Sequence, residues 1–184
     1  MTGDWWLVAT FTVVIHDDNP FVDAEEERDP IRRFRGRLAA PVTVVTSGPP
    51  EARAGLTISS LVVVEGDEPA LFFLLGELTD LWDRMIDTGT FVVHVLERRH
   101  RELSDRFAGY RPSPGGLFHG VPVVDGDHGP VIEGIATRAA CSFAGSRTAG
   151  PLVLVEGAVD EVTIHDLTEP LQYFRGRYIG GDRE

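Results

Sequence analysis

The sequence predicts an all-β barrel with short helical decorations, and three observations carry that prediction. At least seven runs have the length and apolar, β-branched character of strands, only two stretches show helical spacing, and Gly/Pro/Asp turns separate the runs. The 184 residues suffice for one domain with a real core and fall short of two. With 42% hydrophobic and 25% charged residues, the composition is that of an ordinary globular chain. A formal net charge of −12 argues against a nucleic-acid partner, because neutralising phosphates needs clustered basic residues. The single Cys141 excludes an intrachain disulfide and fits a reducing, cytoplasmic compartment.

Taken from the N-terminus, the run from Trp5 to Ile15 is apolar but too short to span a bilayer. Asp4 stands where a signal peptide would carry a basic residue, so an additional strand or an extension is expected, and no membrane partner. Residues 16–29 are rich in Asp and Glu around Asn19-Pro20, the pattern of a solvated linker. The boundary therefore falls near residue 30. Residues 1–30 read as an N-terminal extension and acidic linker, residues 31–184 as the folded domain. Residues 31–38 (IRRFRGRL) form a basic patch that can pair with the linker electrostatically.

Residues 42–46 are β-branched throughout and end at Ser47-Gly48-Pro49-Pro50, which predicts a strand and a turn. The returning strand carries Arg53-Ala54-Gly55-Leu56-Thr57-Ile58-Ser59-Ser60, the stretch on which the functional reading centres. Gly55 admits a turn or a close approach of backbone to a ligand, and Thr57, Ser59 and Ser60 offer hydroxyl donors without charge. In an extended segment Thr57 and Ser59 share a face. The stretch is a candidate phosphate cradle, with a polar strand end as the plainer reading.

Residues 61–65 and 70–75 follow as a meander around Gly66-Asp67-Glu68-Pro69. Leu78, Leu81, Trp82, Met85 and Ile86 then recur at helical spacing, with Thr79 as cap and Gly89 as stop, so a helix is expected over 79–88. Residues 91–96 are again a strand, and 98–107 a short helix ending at Gly109. The Pro112–Gly116 segment and the Gly126/Gly129-Pro130 region read as loops. Residues 131–143 and 152–164 read as two long strands around a loop at 144–151. The aromatic and arginine cluster Tyr173, Phe174, Arg175, Arg177 and Tyr178 closes the chain.

Six separated stretches, taken together and in order, resemble the flavin reductase-like proteins. They are Val42 to Thr46, Gly55-Leu56-Thr57-Ile58-Ser59-Ser60, Glu68-Pro69-Ala70-Leu71, Phe91 to Leu96, Asp105-Arg106-Phe107-Ala108-Gly109, and Pro170-Leu171 through Arg175-Gly176-Arg177-Tyr178. The resemblance spans roughly residues 33 to 180 and implies an FMN-binding split β-barrel, usually a homodimer with flavin near the subunit interface. It implies an oxidoreductase that reduces FMN, or FAD, with NADH or NADPH and supplies reduced flavin to a flavin-dependent monooxygenase. Carried over, it places Thr57, Ile58, Ser59 and Ser60 along the flavin, Leu75, Gly76 and Thr79 at its phosphate, and Phe107 beside the ring. A helix start at Thr79 suits a phosphate physically, since its free N–H groups carry a partial positive charge.

Two departures from the family pattern stand in the sequence. Many active reductases have Gly-Asp-His between the last long strands, where this chain reads Ser146-Arg147-Thr148-Ala149-Gly150-Pro151. Glu77 and Asp80 also flank the expected phosphate segment, where two carboxylates oppose an anion unless Arg84 or Arg53 pairs with them. The resemblance implies no catalytic side chain, because flavin carries the hydride chemistry. Arg147 and Arg175 are candidates for a dinucleotide phosphate. The alternative reading is a non-catalytic, dimeric split barrel that binds flavin or another cofactor. His94, His100, His119 and His128 lack the spacing of a metal or haem site, and no metal is expected.

Overall fold

The computed structural model describes residues 29–179, and the expected strand at 5–15 and nearly all of the acidic linker lie outside them. In order the elements are α1 (Pro30–Gly36), β1 (Ala40–Pro41), β2 (Thr43–Ser47), β3 (Ala54–Ile58), β4 (Val62–Val64), β5 (Ala70–Leu75), α2 (Asp80–Thr88) and β6 (Thr90–Val95). A 3₁₀ turn (Arg98–His100) leads into α3 (Arg101–Phe107). Then come β7 (Val123–Gly126), β8 (Gly129–Ile132), β9 (Arg138–Ala149), β10 (Leu152–Thr163), β11 (Gln172–Phe174) and β12 (Arg177–Ile179). The chain is mostly β, as expected, with three short α-helices among the described residues.

Seven strands form one antiparallel sheet in the order β3-β2-β6-β9-β10-β5-β4. Its two edges, β3 and β4, are neighbours in sequence, joined through residues 59–61. The Ser60 hydroxyl accepts a hydrogen bond from the Leu74 N–H at 2.9 Å, which stitches the end of β3 to β5 and draws the sheet's ends together. Alternation on β5 follows from this closure: Leu71, Phe73 and Leu75 are buried, while residues between them are only half-buried. They meet Phe91, Val93, Val155 and Cys141 inside the barrel, with Phe73 edge-on to Phe91 at 5.6 Å.

Helix α2 plugs this core. Leu81 and Met85, one turn apart, are its buried residues, Thr79 caps its start and Gly89 ends it in the left-handed conformation. A second core, built on Val42, Val44, Leu96, Phe107, Ile132 and Leu171, lies between the barrel, α3 and the C-terminal segment.

Two local expectations are corrected, and one helix stands where the sequence reading assigned no element. Residues 31–36 are helical, because Asp29 accepts the Ile31 N–H as N-cap and Pro30 occupies the first turn. The Gly126/Gly129 region is a β-hairpin, β7–β8, in which Val123 faces Ile132. Most of the expected loop at 144–151 is strand: β9 and β10 pair up to Ala149 and Leu152, leaving Gly150-Pro151 as the turn. Small and polar residues there pair with a well-buried partner strand, so sheet hydrogen bonding overrides their weak strand character.

Candidate functional site

A cavity of about 600 Å³ opens between α1, the end of β3, α3 and the C-terminal hairpin β11–β12. That size suits an organic cofactor. Leu56, Thr57, Ser59 and Ser60 form one wall, Ser104, Ala108 and Tyr110 another, and Tyr173 and Tyr178 close the far side. Arg32 and Arg35 of α1 stand at its edge. Among the described residues, two arginines and no carboxylate line the cavity, in a chain of net charge −12. A smaller hollow of about 190 Å³ beneath β7–β8 is lined by Asp127, Glu161, His128 and Arg138, a mixed set that gives an anion no net attraction.

The β3 wall is held from behind. Val44 on β2 pairs with Thr57 on one side and with His94 of β6 on the other. His94 is fully buried; its Nδ1 donates to the Val44 carbonyl at 3.1 Å and its Nε2 accepts the Ile132 N–H at 3.1 Å. With one donor and one acceptor already matched, the ring is a neutral imidazole, and burial lowers its pKa to about 4. His94 is therefore a core histidine rather than a ligand.

Helix α3 is fixed against the same wall. Thr57 Oγ1 donates to the Ser104 carbonyl at 2.7 Å, and Tyr178 Oη lies 2.9 Å from Ser104 Oγ and 2.8 Å from Asp105 Oδ1. Burial raises the Tyr178 pKa, so the phenol stays protonated and hydrogen-bonding. Gly55 sits within β3 rather than in a turn. A Cβ there would fall 2.5 Å from the Phe107 ring, so its lack of a side chain is what lets α3 pack on β3.

The structure brings together Thr57, Ser59 and Ser60 of the sequence-predicted residues at the cavity. Ser59 has no hydrogen-bond partner among the described residues, which leaves its hydroxyl open to a ligand. Ile58 turns the other way, into the barrel core, and Leu75 is buried there too. Phe107 is 1% exposed in the second core, edge-on to Phe118 at 5.1 Å. Gly76 and Thr79 lie away from the cavity lining, and Thr79 already serves α2: its hydroxyl accepts the Trp82 N–H and donates to the Gly76 carbonyl. Arg84 and Arg53 pair with Asp87 and Asp125, not with Glu77 or Asp80. Arg175 stacks over Phe174 at 5.5 Å and does not line the cavity.

Sequence reading missed Arg32, Arg35, Ser104 and Tyr110. The signal for the arginines was present: Asp29-Pro30 is a helix start, and a helix over the basic patch puts residues 32 and 35 on one face.

Comparison with known proteins bears on this arrangement. A family model described as flavin reductase like domain matches residues 35–182. An NADH-dependent FMN reductase, AsuE2, of Streptomyces nodosus subsp. asukaensis is 32% identical over 157 residues, covering 84% of this chain and 85% of that protein. The reductase subunit HsaB of a flavin-dependent monooxygenase of Mycobacterium tuberculosis is 27% identical over 159 residues, with 83% of each chain covered. Among solved structures, the NADH:FAD oxidoreductase SgcE6 of Streptomyces globisporus superimposes with a TM-score of 0.74 at 25% identity, covering 89% of this chain and 92% of that one. With the family's barrel, its motifs in order and a model match across the described domain, this chain belongs to the flavin reductase-like family.

Proposed function

We propose that the protein is a flavin reductase that uses NADH or NADPH to reduce FMN or FAD and passes reduced flavin to a partner monooxygenase. The observation that carries the reading is the cavity itself: about 600 Å³, walled by hydroxyls and tyrosines, edged by two arginines and, among the described residues, lined by no carboxylate. Its donor set fits a flavin, whose ring accepts hydrogen bonds and whose phosphate is anionic. When bound, flavin supplies the redox chemistry, taking hydride from the reduced nicotinamide.

The chain's own part is positioning. Thr57, its proton donated to the Ser104 carbonyl of α3, can only accept from a ligand, Ser59 offers an unengaged hydroxyl, and Ser60 retains its proton as a donor while accepting from Leu74. Ile58, Leu75 and Phe107 act from the cores behind the wall, and Gly76 and Thr79 shape the start of α2. No side-chain acid or base is required for hydride transfer to flavin.

We further propose a cytoplasmic homodimer. Val62, Val63 and Val64 of edge strand β4 are 59%, 59% and 46% exposed, an apolar edge suited to burial against a second copy. Among the described residues no helix is long and apolar enough to cross a membrane.

The deciding experiment mixes purified protein with FMN and follows NADH and NADPH absorbance. Flavin-dependent oxidation well above the protein-free rate is expected. No oxidation with FMN, FAD or riboflavin, combined with a saturable flavin titration, would instead establish a binding module.

A further inference from the structure

The hollow beneath β7–β8 is built by sheet register. Val92 pairs with Ala140 and His94 with Arg138, so these residues share the outer face of the sheet, opposite Phe91 and Cys141 in the barrel core. On β10 the register slips: Val159 faces Cys141 but Glu161 faces Ala140, which leaves Asp160 as the extra residue of a bulge. Regular alternation would turn Glu161 inward with Val159. The bulge turns Glu161 and Thr163 outward instead, onto the face that carries Arg138.

The β7–β8 hairpin roofs this face and is fixed to it. Arg53 Nε donates to Asp125 at 2.9 Å, Thr46 Oγ1 donates to the Pro130 carbonyl at 2.6 Å, and the Ile132 N–H donates to His94. The His128 ring donates to Asp160 Oδ2 at 2.9 Å, and the Ser142 hydroxyl donates to the same oxygen at 2.7 Å. Asp160 is therefore engaged in holding the hairpin. The side chains of Asp127, Arg138 and Glu161 are not so engaged: all three line the hollow of about 190 Å³, and none has an ion pair or hydrogen bond among the described residues. Thr163 adds an unengaged hydroxyl.

Opposite charges that share a cavity without neutralising one another fit a ligand that carries both. The apolar part of the lining, Val92, Val131 and Ala140, suits a short hydrocarbon, and the volume admits only a small molecule. We propose that this hollow binds a small aliphatic α-amino acid, its carboxylate on the Arg138 guanidinium and its ammonium on Asp127 and Glu161. A guanidinium matches a carboxylate with two parallel hydrogen bonds, and an ammonium has three donors to divide between two carboxylates and the Thr163 hydroxyl. The hollow shares no lining residue with the 600 Å³ cavity, so its occupant is independent of flavin.

Calorimetry on the full chain, without flavin, titrates alanine, valine and leucine. It then titrates the amine and the acid that correspond to the tightest binder without its carboxylate or without its ammonium, which for valine are isobutylamine and isovalerate. Saturable binding of at least one amino acid below about 10 mM is expected, with both truncated analogues weakened about tenfold or more. Arg138→Gln and Glu161→Gln should each weaken the amino acid by about tenfold, and Arg138→Lys should keep part of the affinity. No binding of any of the three, or an analogue that binds as tightly as its amino acid, overturns the proposal. So does binding that either glutamine substitution leaves unchanged, since the ligand then sits elsewhere. Glu161 is exposed, so its variant is expected to fold even where Arg138→Gln does not, and matching thermal melts identify the variants that count.

Discussion

Two regions of this molecule present hydroxyls beside a helix, and they are not equivalent. At the end of β3, Thr57, Ser59 and Ser60 face a cavity edged by Arg32 and Arg35. At the start of α2, Thr79 spends its hydroxyl on its own helix, with Asp80 and Asp83 in the first turn. Those acids stabilise the helix by complementing its dipole, and the same charge repels a phosphate. The two sites look alike as sequence patterns; charge and hydrogen-bond occupancy separate them. One wall is free to bind because other residues hold it, whereas the other is occupied holding itself.

The largest expected effect tests what holds the β3 wall. His94 is neutral in the fold with its pKa near 4, against 6.5 when exposed. The unfolded chain therefore binds a proton that the folded one refuses as pH falls below about 6.5. The contribution is complete above that pH and is lost progressively between about 6.5 and 4, to a total of about 3 kcal/mol. Chemical denaturation across this range should show the fall, and a His94→Gln variant should be less stable at neutral pH with a flatter profile. A flat profile in the wild type would mean that the wall is not anchored through this histidine.

Next, Gly55→Ala places a methyl group into the Phe107 ring and should cost about 2 kcal/mol, with weaker flavin binding as α3 is pushed off β3. Unchanged stability would show that α3 yields easily. Thr79→Ala should cost about 1 kcal/mol through the lost cap while leaving flavin affinity alone. A strong drop in affinity would erase the contrast between the two regions. The smallest effect is expected of Ser59→Ala: a loss of about 1 kcal/mol in flavin binding, read by fluorescence titration, without a change in melting temperature. An unaltered affinity would remove Ser59 from the contact set.

The buried thiol of Cys141 offers a final contrast with the open site. Burial pushes its pKa up to about 12, consistent with an inert core residue at the back of the barrel.

What the sequence determined alone is the local grammar and the family. The helical recurrence of Leu81 and Met85 between Thr79 and Gly89 defined α2, the β-branched run at 42–46 defined β2, and the ordered motifs identified the flavin reductase-like barrel. These signals reside in neighbours along the chain, where period and capping act. The tertiary structure decided everything that depends on distant partners. Gly55 proved to be a packing residue because Phe107, far along the chain, rests against it, and residues 144–149 became strand because β10 pairs with them. Arg32 and Arg35 became cavity residues only when α1 was set against the C-terminal hairpin through Gly36 and Arg175. A helix period states which residues share a face, but the direction of that face is set by contacts from across the whole fold.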